Sequence, residues 1–330
     1  MSVTIKDVAE IAGVSTATVS RVINGSTNVT EKVKKKVLAV IEELDYTPNP
    51  AGRILKQGVN KSIMVILPYK LSGFYGRIVD AMTQEAIASD YTLLISSCND
   101  DKKYEQTVVD RLLRDVIKGF IFLGTFFDGH ELSEINRQIP TVLCCEQVDK
   151  SDLRTIVCDY KQGAELVVDK MVEAGHRRIG YIAMRHRPAS SKLKQSGFRE
   201  ALAKHGIDHS EEYYFYGSHT LKTGYSAMRF FNCLDEPPTA IFAETDQLAM
   251  GALNYAMECG MDVGNDIVIS GFDDLDICKM GIKKLTSVSQ PLEDIGRTAV
   301  RSLIDIIENH AENQGTITLP VALSLRDTLK

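Results

Sequence analysis

The feature that most limits the fold is a series of short, continuously apolar runs that recur through most of the chain. They lie at residues 63–67, 91–95, 119–123, 142–145, 179–183, 240–243 and 267–270. A strand with one wet face alternates apolar and polar residues. Several of these runs do not, which predicts parallel strands covered on both faces by the amphipathic helical stretches between them. Strands alternating with helices from about residue 62 onward imply doubly wound parallel sheets. A single sheet of that size is unusual, so two lobes are expected.

A chain of 330 residues suits a small domain joined to a large one. No stretch approaches the ~18 uninterrupted apolar residues of a membrane span. After Met1 the chain runs into Lys6, Asp7 and Glu10 with no apolar signal-peptide core, so a cytoplasmic protein is expected. The cysteine count is odd, at seven, and no C-x-x-C occurs. That pattern predicts buried free thiols and no metal site; no cofactor is expected.

Residues 4–45 follow a different pattern, that of three short helices. Ala9 is small where the first two helices cross, Gly13 can take the positive φ of a tight turn, and Ser15 is a good N-cap for the second helix. Val8, Val14, Val19 and Val22 supply a core between those helices. A third helix from Thr30 to Leu44 closes it with Val33, Val37, Val40, Ile41 and Leu44 on one face. This is the arrangement of a helix-turn-helix. Its second helix presents Thr16, Ala17, Ser20, Arg21 and Asn24 outward, short side chains and one guanidinium suited to base edges and phosphates. The bland alternative is a helical hairpin with a polar surface.

The net charge of −6 argues against a nucleic-acid partner, but its distribution removes the objection. Residues 1–60 hold eight Lys/Arg against six Asp/Glu, a net of +2, which leaves −8 on the other 270 residues. A mildly basic head on an acidic body concentrates the attraction to phosphate in one place.

The segments Val3-Thr-Ile-Lys-Asp-Val-Ala9 through Val19-Ser-Arg-Val-Ile-Asn24, then Leu44-Asp-Tyr-Thr-Pro-Asn49, resemble the head of the LacI/GalR family of bacterial repressors. Gly175-His-Arg-Arg-Ile179, Gly197-Phe-Arg-Glu-Ala-Leu202, Asp246-Gln-Leu-Ala-Met-Gly251, Gly271-Phe-Asp-Asp274 and Leu285-Thr-Ser-Val-Ser-Gln-Pro291 extend the resemblance in family order. It implies an N-terminal all-α helix-turn-helix head at 1–46, a hinge helix or linker at 47–60, and an α/β two-lobed core at 61–330. That core is expected to be periplasmic-binding-protein-like, to bind an effector and to dimerise. The partner is double-stranded, pseudo-palindromic operator DNA. The implied DNA-binding residues are Thr4, Ser15, Thr16, Ala17, Thr18, Ser20, Arg21, Asn24, Tyr46, Asn49, Ala51, Leu55 and Lys56. The resemblance further implies that residues 49–56 fold into a helix on the operator, with Leu55 wedged into the minor groove. Pro50, Ala51 and Gly52 stand where the family has a run of alanines. Pro50 is tolerable in a first helical turn, whereas Gly52 weakens such a helix by ~1 kcal/mol relative to Ala.

The same resemblance places an effector cleft between the lobes, lined by Phe74, Glu146, Lys194, His219, Thr245, Asp273 and Gln290. Glu146 and Asp273 are suited to accept from sugar hydroxyls, Lys194 to donate, and Phe74 to offer an apolar face. Lys194 stands where the family usually has Arg, Thr245 where it frequently has Asn, and Tyr160 where Asn is usual after Asp159. The implied effector is a small molecule, a sugar or sugar phosphate, acting on a repressor of carbohydrate-metabolism genes. The alternative is a global catabolite regulator that answers to a phosphoprotein co-regulator.

Two other classes fit this sequence less well. A solute-binding transport receptor conflicts with the helix-turn-helix and the missing signal peptide. An enzyme on a Rossmann-like fold lacks phosphate-loop motifs and any nucleophile–base arrangement, so no catalytic residue is expected. With no leucine heptads before Lys330, a homodimer rather than a tetramer is expected, with no membrane partner.

Overall fold

The computed structural model describes residues 4–23, 29–44, 46, 61–113, 117–185, 188–208 and 210–330. The expectations for Asn24, Asn49, Pro50, Ala51, Gly52, Leu55 and Lys56 lie outside the described residues. The chain divides into two compact units, residues 1–60 and 61–330.

The first unit holds α1 (Ile5–Ala12), α2 (Thr16–Ile23) and α3 (Glu31–Glu43). Gly13 ends α1 at φ +62, the left-handed conformation that a Cβ disfavours. That turn lets the Val14 amide reach back to the Ala9 carbonyl at 3.0 Å, closing a Schellman-type cap. Ser15 Oγ then accepts the Thr18 amide at 3.2 Å and starts α2. Val8, Ala9, Ala12, Val19, Val22, Val37 and Val40 form the core, with Val14, Val33, Ile41, Leu44 and Tyr46 partly buried around it. The expected miniature core is present as read.

The second unit builds two six-stranded sheets. In the first lobe β1 (Ser62–Leu67), α4 (Gly73–Ala88), β2 (Thr92–Ser97), α5 (Lys102–Leu112), β3 (Gly119–Phe122), α6 (Gly129–Gln138), β4 (Thr141–Cys144) and β5 (Arg154–Cys158) follow one another. The second lobe takes α7 (Tyr160–Glu173), β6 (Ile179–Met184), α8 (Ala189–Lys204), β7 (Tyr214–Gly217), α9 (Leu221–Phe231), β8 (Ala240–Ala243), α10 (Asp246–Glu258), β9 (Val268–Asp273) and β10 (Thr286–Ser289). The chain then returns to the first lobe with α11 (Leu292–Asn309) and β11 (Thr316–Leu319), and ends in the second with β12 (Ala322–Ser324).

Strand order is β2-β1-β3-β4-β5-β11 in one sheet and β7-β6-β8-β9-β10-β12 in the other. All pairings are parallel except β10 with β12. Order reverses beside β1 and beside β6, the switch points where doubly wound folds open a crevice at their strands' carboxyl ends. The chain passes between lobes three times, after β5, after β10 and after β11. Cys98, Cys144, Cys145, Cys158 and Cys278 are buried free thiols, whereas Cys233 and Cys259 are exposed. No described helix is long and apolar enough to cross a membrane.

Candidate functional site

In the head, Thr16, Ala17 and Arg21 are exposed on α2, while Thr18 and Ser20 are half-buried on the same helix. Ser15 and Thr18 share a hydrogen bond of 2.9 Å between their hydroxyls, so both also serve the helix start. Thr4 is exposed and precedes α1. Its amide and hydroxyl both donate to Asp7 at 2.7 Å, which holds that carboxyl below its ordinary value. Tyr46 packs its ring against the head core. The exposed face of α2 is thus short-chained, carries one guanidinium, and is backed by the core of the three helices.

The cleft residues come together at the carboxyl ends of the strands in both lobes. Phe74 starts α4 and meets Tyr75 edge-on at 5.2 Å. Tyr75 itself was not anticipated. Its hydroxyl is driven far up, first by burial and then by the charges of Cys145, Glu146, Tyr69 and Asp273.

Glu146 follows β4, and both its oxygens are taken across the cleft. The Ser190 amide donates to one at 2.9 Å and the Ser190 hydroxyl to the other. Burial raises the Glu146 carboxyl, an effect the Ser190 bonds and then the Lys194 charge reduce. These oxygens, expected to meet a ligand, are bonded to Ser190 in this structure.

Lys194 is 5 % exposed. Its ammonium donates to the Glu244 carbonyl at 2.9 Å and lies 4.0 Å from the centre of the Phe272 ring and 5.6 Å from that of Tyr160. An ammonium over aromatic faces is a favourable cation–π arrangement, stronger when desolvated. Tyr160, where Asn was the family norm, donates to the Cys145 carbonyl at 2.6 Å and so spans β4 and α7.

Glu244, also unanticipated, is fully buried beside Thr245. It accepts from Tyr181 Oη at 2.8 Å, from Ser191 Oγ at 2.8 Å and from the Met184 amide at 2.9 Å, yet burial still holds it above its ordinary value. Thr245 caps α10, accepting the Leu248 amide at 3.4 Å. Its hydroxyl has a backbone task in addition to any ligand contact.

Asp273 ends β9 at φ +122 and Asp274 follows at φ +53, a strained pair for non-glycine residues. Asp273 accepts Gln290 Nε2 at 2.7 Å, and burial pushes its carboxyl up to about 8. Gln290 Oε1 is buried with no hydrogen-bond partner. Asp274 holds Arg326 and, through its other oxygen, Ser324 Oγ at 3.0 Å, and its carbonyl accepts Arg77 from the first lobe at 3.2 Å. Asp246, on α10, binds Ser287 and the Leu275 amide, and burial raises it to about 6. His219 is exposed at the cleft edge, its imidazole lowered by desolvation and by the Lys194 charge.

The head segment 4–49 matches the model of the bacterial regulatory proteins of the lacI family, and 168–329 matches a periplasmic binding protein-like domain. Catabolite control protein A of Priestia megaterium is 32% identical over 332 residues, covering 100% of both chains. The repressor CytR of Escherichia coli is 31% identical over 99% of this chain and 96% of its own. The chain belongs to the LacI family.

Among solved structures, a lac repressor dimer bound to operator and the anti-inducer ONPF superposes with a TM-score of 0.85 at 27% identity, covering 99% of each chain. A transcriptional regulator CelR–cellobiose complex gives 0.75 at 25% identity, also over 99% of each chain. This LacI-family chain is a DNA-binding transcriptional regulator and not an enzyme. Its architecture is that of a helix-turn-helix head on a periplasmic-binding-protein-like body.

Proposed function

We propose that this regulator is a cytoplasmic homodimeric repressor of carbohydrate-metabolism genes. It binds a pseudo-palindromic operator through α2 and through a hinge segment at 47–60, and a small polar molecule in the cleft changes its affinity for DNA. The observation that carries this reading is the convergence, at the carboxyl ends of strands from both sheets, of Glu146, Asp273 and Gln290 with the rings of Phe74, Tyr75 and Tyr160. Polar groups converging among aromatic side chains are the usual makeup of a small-molecule site. The CelR–cellobiose complex and the operator-bound lac repressor support the two halves of the proposal by similarity. Operator fragments selected from random DNA by the purified chain, then titrated with and without sugars, test it. No enrichment of a two-fold sequence defeats the DNA half.

A second reading, a global catabolite regulator answering to a phosphoprotein co-regulator, gains support from the similarity to a catabolite control protein. The cleft in which Ser190 and Lys194 already hold the polar groups also favours it. In that case a phosphoprotein, not a sugar, changes operator affinity in the same titration.

A further inference from the structure

The cysteines divide into two sets. Burial drives the thiols of Cys98, Cys144, Cys145, Cys158 and Cys278 well above the ordinary value, which leaves them little of the reactive thiolate near neutral pH. Cys233 and Cys259 are exposed. Each follows the end of a helix, Cys233 shortly after α9 and Cys259 directly after α10.

Those two helices run side by side. Gly224 backs onto Leu248 and Ala252, and Gly251 onto Leu221 and Tyr225, so positions advance together along both and their carboxyl ends are neighbours. Tyr255 joins those ends. Its ring meets Tyr225 edge-on at 5.1 Å, and its hydroxyl accepts Asn232 Nδ2 at 3.3 Å. Asn232 immediately precedes Cys233. The Cys259 amide donates to the Tyr255 carbonyl at 3.0 Å, one helical turn back, which places both side chains on one face. The Tyr255 hydroxyl is raised above its ordinary value, first by a hydrogen bond with the Cys259 side chain and then by burial, and the Cys233 charge adds to the rise. Both solvent-exposed sulfurs thus act on a single phenol.

We infer that Cys233 and Cys259 are a redox pair that a hydroperoxide closes into an intrachain disulfide across the ends of α9 and α10. With hydrogen peroxide, one thiolate attacks a peroxide oxygen, the O–O bond breaks, and hydroxide leaves and is protonated to water. The resulting sulfenic acid is attacked by the second thiol. The S–S bond forms, the S–O bond breaks, and the second thiol's proton leaves with the oxygen as another water. The two sulfurs give up two electrons together, and the peroxide takes both. A thiol reductant restores the pair by exchange, as expected of a bond that senses oxidant in a reducing compartment.

The test treats the reduced full chain with hydrogen peroxide, blocks remaining thiols by alkylation and maps the peptides by mass spectrometry. The expected product is one Cys233–Cys259 linkage within the chain, reversed by dithiothreitol, with the five buried thiols alkylated only after unfolding. Cys233→Ser and Cys259→Ser each lose the linkage and leave the other sulfur as a sulfenic acid trapped by dimedone. Oxidation that leaves the two sulfurs unlinked, or that joins either one to a second chain instead, overturns the inference. So does a linkage that forms as fast in the urea-unfolded chain, because the fold then does not pair these thiols.

Discussion

Glu146, at the end of a first-lobe strand, accepts from both the amide and the hydroxyl of Ser190, the second residue of a second-lobe helix. One side chain of each lobe is therefore locked to the other inside the cleft. Replacing Ser190 with Ala removes one donor and leaves a half-buried carboxyl oxygen under-bonded, at a cost of about 1 kcal/mol. The expected outcome is a lower unfolding temperature and a larger radius of gyration in small-angle scattering. An unchanged radius means this contact does not govern closure.

Asp273 links stability to pH. Its carboxyl is raised from 3.8 to about 8, so the folded chain keeps a proton that the unfolded chain has lost across that interval. The stability from this proton is full below about pH 4 and disappears as pH rises through about 8. Within the window one such group changes stability by up to about 1.4 kcal/mol per pH unit. Wild type is expected to lose more stability than Asp273→Asn between pH 6 and 9 in denaturant titrations. Parallel pH profiles count against the raised carboxyl.

Gly224 and Gly251 mark the crossing of α9 and α10. A Cβ at Gly224 meets the Leu248 carbonyl oxygen at 1.9 Å, and one at Gly251 meets the Leu221 carbonyl oxygen at 2.0 Å. Both obstacles are backbone, so the helices must separate. Gly251→Ala is expected to cost about 3 kcal/mol by equilibrium unfolding. A loss below about 1 kcal/mol means the helices can move apart cheaply.

Gly13→Ala strains the left-handed residue between α1 and α2, a penalty of about 1 kcal/mol or more. The nearest obstacle to the new methyl is only the end of the Lys36 side chain at 3.4 Å, so backbone strain and not a clash sets the cost. Operator binding is expected to weaken while ligand titrations of the body stay unchanged.

Arg21 is exposed on α2 and is the one guanidinium of its face. Arg21→Ala is expected to lose at least ~1 kcal/mol of operator affinity in gel-shift titration. If Arg21 reads a base, the loss is confined to specific DNA; equal losses on random DNA assign it to phosphate.

The head was legible because each of its signals is local: Gly13, Ser15 and the valine spacing define turn, cap and core within a few residues. All seven apolar runs became strands; unbroken Val, Ile, Leu and Phe suit positions covered on both faces, as six of them are, whereas β2 is an edge strand with Thr92 and Ile95 exposed. The polar strands escaped. Thr286–Ser289 lies in the sheet core with the Thr286 and Ser287 hydroxyls satisfied by the Leu329 carbonyl and Asp246, partners roughly forty residues away in sequence. Tyr75, Ser190 and Glu244 escaped for the same physical reason. Their importance comes from what reaches them, Glu146 for Ser190 and Tyr181, Met184 and Ser191 for Glu244, and no spacing in one segment announces such a meeting. Lys194 was placed in the cleft, but its bond to a carbonyl and its seat on Phe272 depend on the packed fold.

The three passages of the chain between lobes make the body hard to edit and the head easy. Neither lobe is one continuous stretch, because β11 joins the first sheet and β12 the second only after both are otherwise built. Grafting one lobe onto another regulator therefore requires several matched splice points, one at each crossing between the sheets. Exchanging the whole reading head needs a single junction near residue 60. Recombination among such genes is thus expected to trade DNA addresses far more readily than it trades half of a ligand cleft.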